Sequence, residues 1–183
     1  MGEGNFFVES LKHWKTIGAF AACSSAVAGK MTDPIDFSRV TRVVELGGGT
    51  GAITREILAR MRPDAQLAVF EILPAFVKVL EAIPDSRVTV VNDSAVNLGA
   101  YLLSRGMPHV DAVISTLPLG TIPERTRTKI LEEIAYSLDE NGRYVQVQYS
   151  LLSQKHIRKV FSRVFLDFTP RNFPPAFFYI CER

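Results

Sequence analysis

Cysteine is scarce. Cys23 and Cys181 are the only two in 183 residues, too few for a disulfide framework and without the clustered Cys/His spacing of a metal site. A reducing, cytoplasmic setting is therefore expected. No excess of one charge exists either: Lys plus Arg number 21 and Asp plus Glu 19, a net +2 that gives no ground to expect a nucleic-acid partner. Long apolar runs are missing. The longest apolar-rich stretch, Ile17 to Gly29, is interrupted by Ser24 and Ser25 and is too short to span a bilayer. The opening MGEGNFFVES lacks the basic-then-apolar order of a secretory signal, and Phe6 stands where a myristoylation signal needs Ser or Thr. What is present is an ordinary globular composition, 47% apolar and 22% charged, which excludes a disordered chain, a collagen and a coiled coil. A chain of this length buries about 70% of its unfolded surface and needs no staples.

The first forty residues differ in texture from the rest. Phe7, Leu11 and Trp14 recur at helical spacing beside Lys12, His13 and Lys15. The small-residue stretch AFAACSSAVAGKM predicts a second helix, broken by Thr32, Asp33 and Pro34. From Arg42 onward strands and helices alternate. The predicted strands are RVVEL, QLAVFE, RVTVVN, VDAVIST and RYVQVQY, with two more near Arg163–Phe168 and Ala176–Cys181. The predicted helices cover AITREILARM, Pro74–Ala82, about Ala95–Ser104, Glu124–Leu138 (closed by Asn141-Gly142) and Gln154–Phe161. Such alternation makes a parallel sheet covered on both faces. The last two strands leave no room for a crossover helix, so they are expected to pair antiparallel at one edge. We divide the chain into an N-terminal helical cap, residues 1–38, and one compact core, residues 39–183.

The sharpest motif is Glu45-Leu46-Gly47-Gly48-Gly49-Thr50-Gly51, set between a predicted strand and a predicted helix. Gly47, Gly49 and Gly51 fall two apart behind an acid, which is neither the dinucleotide G-x-G-x-x-G nor a P-loop. The spacing resembles the E/D-x-G-x-G-x-G loop of S-adenosylmethionine (SAM) enzymes. Glu71, at the end of the second strand, can accept from both ribose hydroxyls of an adenosine cofactor. Ile72 and Leu73 would flank the adenine. Asp93 is placed to accept from the adenine amino group and Ser94 to offer its N–H; Ser94 is equally a helix cap, and the two roles are compatible. Ser115-Thr116-Leu117-Pro118-Leu119 ends the fourth strand, where an open parallel sheet faces its ligand. Tyr149 ends the fifth strand, able to hold an ammonium by cation–π attraction or simply to pack under a loop.

Together these motifs resemble the small bacterial phospholipid N-methyltransferases. Ile17-Gly18-Ala19, Ser24-Ser25, Val43 to Gly51, S-T-L-P-L, Val147-Gln148-Tyr149 and Asn172 to Ala176 match that family's pattern in order along nearly the whole chain. Cys23 departs from the family's Pro, Thr116 from its Gly and Gln148 from its Thr. The resemblance implies a Rossmann-like class I methyltransferase: a seven-stranded, mostly parallel α/β sheet with an antiparallel C-terminal hairpin, preceded by N-terminal helices. It implies SAM as methyl donor, S-adenosylhomocysteine as product and the amine headgroup of a membrane lipid as acceptor. Phosphatidylethanolamine is the first expectation and ornithine lipid the variant. Glu45, Gly47, Gly49, Gly51, Glu71, Ile72, Asp93, Ser94 and Ser115 are expected at the cofactor. Ser24 and Ser25 would meet the SAM carboxylate or a lipid phosphate, or else only pack a helix. Ser115, the Leu117 backbone and Tyr149 are expected to position the acceptor. The N-terminal segment, with Phe6, Phe7, Leu11, Trp14 and Ile17 beside its basic residues, either lies on the membrane or packs on the core. Distant relatives that dimethylate ribosomal RNA adenines carry an amide and an aromatic where this chain has Ser115 and Leu119, which counts against a flipped base.

Overall fold

Short β-branched runs make the parallel strands because strands buried on both faces carry near-continuous apolar sequence. In the computed structural model, which describes residues 25–170 and 175–183, these are β1 (Arg42–Leu46), β2 (Gln66–Phe70), β3 (Val88–Val91), β4 (Val110–Ser115) and β5 (Leu138–Gln148). The last two strands are β6 (Arg163–Thr169) and β7 (Ala176–Glu182). All seven form one sheet in the order β3-β2-β1-β4-β5-β7-β6, parallel from β3 to β5 and antiparallel through β7 and β6. This is the Rossmann-like methyltransferase architecture expected from the sequence, with the final hairpin inserted so that β7 pairs with β5 and β6 forms the edge.

Six α-helices cover the sheet among the described residues: α1 (Ser25–Thr32), α2 (Ala52–Arg60), α3 (Pro74–Glu81), α4 (Leu98–Ser104), α5 (Glu124–Ser137) and α6 (Gln154–Val160). Val27 and Met31 of α1, Ile53 and Ile57 of α2 and Leu80 of α3 pack with Val43, Ile114 and Val145 on one face. Leu98 and Leu102 of α4, Ile130 and Ile134 of α5 and Ile157 of α6 pack with Val44, Val113 and Tyr144 on the other. Side chains alternate faces along each strand, which is why Val43 and Val44 belong to different cores. No helix among the described residues is long and apolar enough to cross a membrane. The N-terminal aromatic segment and Asn172 to Pro174 lie outside the described residues.

Two local expectations change. The long helix is not closed by Asn141-Gly142. It stops at Ser137, and Leu138 already pairs with Val110 in the sheet. Pairing resumes at Arg143 with Ala112, so Asp139 to Gly142 form an excursion within β5. Gly142 suits that turn because a Cβ there would sit 2.9 Å from the Asp139 carbonyl oxygen. The predicted helix from Ala95 is split: a 3₁₀ turn spans Ala95–Asn97 and α4 begins at Leu98. Ser94 starts the turn, its side chain accepting from the Val96 N–H at 3.4 Å.

Candidate active site

The carboxyl ends of β1, β2 and β4 bring the motifs together. The turn after β1 is held at both sides. Gly47 N–H donates to the Phe70 carbonyl at 2.8 Å, and the Thr116 hydroxyl donates to the Gly47 carbonyl at 2.7 Å. Gly47 has φ +85°, and a Cβ on it would lie 2.9 Å from Thr116 Oγ1, so only glycine lets the two loops meet. Gly49 also has a positive φ, +51°, but a Cβ there would meet nothing within 4 Å. Its backbone borders open space. Gly51 precedes α2 in a left-handed conformation.

Glu71 follows β2 and is buried. Its Oε2 accepts from Gly49 N–H at 2.9 Å and its Oε1 from Leu73 N–H at 2.8 Å. A carboxylate has about four acceptor positions, so one remains on each oxygen for a ligand hydroxyl. A cleft opens beside it, lined by Glu71, Ile72, Leu73, Asp93, Thr116 and Leu117, together with Gly47, Ser94 and the apolar Phe70 and Phe76. Asp93 reaches it with Oδ1 already accepting from Ser94 N–H at 2.7 Å and Asn97 Nδ2 at 2.9 Å. The sequence-predicted residues Gly47, Glu71, Ile72, Asp93, Ser94 and Leu117 are thus gathered at one cleft.

Glu45 lies under the glycine turn, fully buried in β1. Its Oε2 accepts from the Thr54 hydroxyl at 2.7 Å, while its Oε1 has no partner. Burial pushes its carboxyl up to about 8, against the lowering effect of the Thr54 bond, and the nearby Glu71 charge adds to the rise. An orphaned buried oxygen is costly and is normally satisfied. An adenosine-type ligand fits the cleft, with apolar walls for a base, Glu71 acceptors for vicinal hydroxyls and open backbone at Gly49; Glu45 does not line the cleft, and its unpartnered Oε1 lies buried beneath the turn as the acceptor nearest to hand for a cation.

The acceptor side differs from the sequence expectation. Ser115 is fully buried on the face shared with Val113 and Tyr144, and its Oγ accepts from Leu117 N–H at 3.2 Å. It is not among the residues lining the cleft. The Leu117 carbonyl accepts from Gln146 Nε2 at 3.1 Å and from Gln148 Nε2 at 2.8 Å. A carbonyl has two lone pairs, so this backbone is spent on internal bonds rather than left for a substrate. Ser115 and Leu117 shape the loop from within. Tyr149 sits just past β5, half-buried against the face that carries Val145 and Val147, away from the cleft lining. Ser25 is the first residue of α1.

Sequence reading gave no role to five side chains that fix this loop: Gln146, Gln148, Tyr144, Thr116 and Arg127. The register pairing Ser115 with Gln146 places both glutamine amides under Leu117, and the Tyr144 hydroxyl orients Gln146 by donating to its Oε1 at 2.6 Å. Thr116 joins the loop to the glycine turn. Arg127 donates to the Leu119 carbonyl at 3.1 Å and to His156 Nε2 at 2.9 Å. Since a guanidinium only donates, Nε2 accepts and the ring proton sits on Nδ1. One signal for Arg127 was available: it shares the apolar stripe of α5 with Ile130, Leu131 and Ile134.

Residues 12–168 match a family model described as an O-methyltransferase domain. The chain is 32% identical over 182 residues to an ornithine lipid N-methyltransferase of Singulisphaera acidiphila, covering 98% of this chain and 93% of that protein. A shorter match, 37% over 75 residues, is to ribosomal RNA small subunit methyltransferase H of Bordetella avium and spans 40% of this chain and 21% of that one. Among solved structures, PigF with S-adenosylhomocysteine superposes with a TM-score of 0.63 at 19% identity, over 91% of this chain and 56% of that one. The fold and site define a class I SAM-dependent methyltransferase. This chain belongs to that family, and its methyl donor is SAM.

Proposed function

We propose that the protein transfers methyl groups from SAM to the amine headgroup of a membrane lipid. The observation that carries this reading is the end-to-end match to a lipid N-methyltransferase, in contrast to the short stretch shared with the ribosomal RNA enzyme. That match moves ornithine lipid ahead of phosphatidylethanolamine as the headgroup to test. In this reading Glu71 holds the ribose hydroxyls, Asp93 the adenine amino group, Ile72 and Leu73 its faces, and Glu45 the ammonium of the donor; the Ser94 N–H expected at the adenine is instead given to Asp93 Oδ1, so Ser94 shapes the turn that carries Asp93.

SAM supplies a methyl group already activated on a sulfonium. The chain's own residues then need chiefly to orient the acceptor and keep water away. A lipid amine must lose its proton before it can attack; its ordinary value, like that of lysine, is about 10, and desolvation lowers it. The β4 loop supplies orientation. Gln146 and Gln148 clamp the Leu117 carbonyl, Ser115 holds the Leu117 N–H, and Arg127 holds the Leu119 carbonyl.

Because Gln148 touches the loop and not the cofactor cleft, Gln148→Leu is expected to lower kcat by about tenfold to a hundredfold through loop displacement. The affinity for SAM should stay within about twofold of wild type, a split that titration calorimetry beside steady-state kinetics reads directly. The function itself is tested by methyl transfer from labelled SAM to ornithine lipid, phosphatidylethanolamine and unmodified ribosomal RNA in parallel. Label in a lipid fraction is the expected result and names the headgroup. Label only in RNA would overturn the lipid reading.

A further inference from the structure

Eight large apolar side chains are left exposed among the described residues, and five of them fall in two short segments: Leu151 and Leu152 after β5, and Phe165, Leu166 and Phe168 on β6. Leu152 is 72% exposed and Phe168 45%. Their place in the fold follows from register. Gln148, at the carboxyl end of β5, pairs with Phe177, and Phe177 pairs with Phe168. Leu151, Leu152 and Phe168 therefore lie at the same end of the sheet as Gly47, Glu71 and Thr116. The Phe168 and Phe177 rings are 5.1 Å apart, so this corner is an aromatic surface and not one stray side chain.

Edge strands that face water are normally blunted by charge. Here the acid that would do so, Asp167, is ion-paired with Lys30 of α1, and Arg163 is paired with Glu182. The adjoining helix carries the opposite tendency. Lys155, Arg158 and Lys159 of α6 are exposed, and none of them belongs to an ion pair among the described residues. The helix starts at the mouth end, with Lys155 in its first turn, and runs toward the far end where β6 begins; Lys155 and Lys159 share a surface groove with Glu124. Apolar side chains at the mouth followed along the chain by such cations are the composition that suits an anionic lipid surface: the apolar groups enter the headgroup boundary and the cations meet phosphates.

We propose that the Leu151–Leu152 loop and Phe168, flanked by the cations of α6, form a docking surface for an anionic bilayer. This surface is built from residues of the core. It rests on the lipid-substrate reading and gives that reading a geometry, because a bilayer seated there lies against the end of the sheet where the cleft opens. An amine lipid then reaches the β4 loop without leaving the membrane.

The test uses the full chain and vesicles of phosphatidylglycerol and phosphatidylcholine that contain no amine-headgroup substrate, so that docking is read apart from chemistry. The variant Leu151→Ser/Leu152→Ser/Phe168→Ser is expected to lose vesicle co-sedimentation by about tenfold or more. Its SAM affinity by calorimetry and its methyl transfer to a short-chain lipid in detergent should match wild type. The charge variant Lys155→Gln/Lys159→Gln, which leaves the apolar corner intact, should weaken binding and lose most of the salt sensitivity. Equal vesicle binding by wild type and the triple-serine variant overturns the proposal. So does a wild type that ignores vesicles and instead forms dimers that the serine changes dissolve. The lipid-substrate reading fails separately, by an absence of transfer to lipid in detergent from a wild type that still binds vesicles.

Discussion

Glu71→Ala is expected to reduce SAM affinity by at least about a hundredfold and to end methyl transfer at ordinary cofactor concentrations. Two losses combine. The free acceptor positions that we assign to the ribose hydroxyls disappear. In addition, Gly49 N–H and Leu73 N–H lose the carboxylate that orders them. Leaving a buried amide without an acceptor costs about 1–3 kcal/mol, so the glycine turn should also loosen in the absence of ligand. Glu71→Gln separates the effects. An amide keeps one acceptor oxygen and turns the other position into a donor that faces a backbone N–H, so it should repair little. Titration calorimetry gives the affinity, and hydrogen exchange at Gly49 and Leu73 gives the order of the turn. A Glu71→Ala protein that binds SAM within tenfold of wild type would remove Glu71 from the cofactor site.

Much of the architecture could be read from residue pattern because parallel strands carry their burial in sequence. RVVEL and VDAVIS are bounded by turns and have no other use than a two-faced core, and both became central strands with nearly every residue buried. The Asn141-Gly142 pair was less informative, since the same dipeptide suits a helix end and a turn inside a strand. Only the pairing of Leu138 with Val110 decides between them. That Gly47, Glu71, Ile72, Asp93 and Leu117 converge on one cleft was legible for a related reason. Its residues sit at strand ends, within a few positions of a glycine turn whose spacing is itself diagnostic.

The acceptor side was harder to read because its interactions connect different strands. Ser115 reads as a loop residue in sequence. Yet it shares strand parity with Val113, and that parity turns it into the core beside Tyr144. Gln146 and Gln148 look like ordinary polar positions until the β4–β5 register sets them beneath Leu117. Charge patterning gave no hint of the α6 cations' setting either, since it needs the β6–β7 pairing to place Phe168 at the mouth end of the sheet.

SAM binding should strengthen as pH rises, by up to about tenfold per unit between roughly pH 6 and 8, then level off. The cause is Glu45, whose burial holds its carboxyl up to about 8 and so keeps it protonated at neutrality when no ligand is bound. A cation placed at the unpartnered Oε1 favours the ionised form, so binding expels that proton. Calorimetry in two buffers of different ionisation enthalpy should find close to one proton released at pH 7. The ligand-free protein should show the opposite trend. An acid whose folded value is raised binds more protons in the native than in the unfolded state, so stability falls as pH climbs from its ordinary value near 4.5 to about 8. Glu45→Gln removes the ionisation while keeping an oxygen for the Thr54 hydroxyl. That variant should melt higher than wild type at pH 8 in the absence of ligand, by an amount of order a few kcal/mol in stability. It should also bind SAM more weakly, with a flat pH profile. The two signs are opposite, so a merely structural Glu45 cannot imitate them: a variant that keeps the wild-type pH slope would place the ammonium away from Glu45.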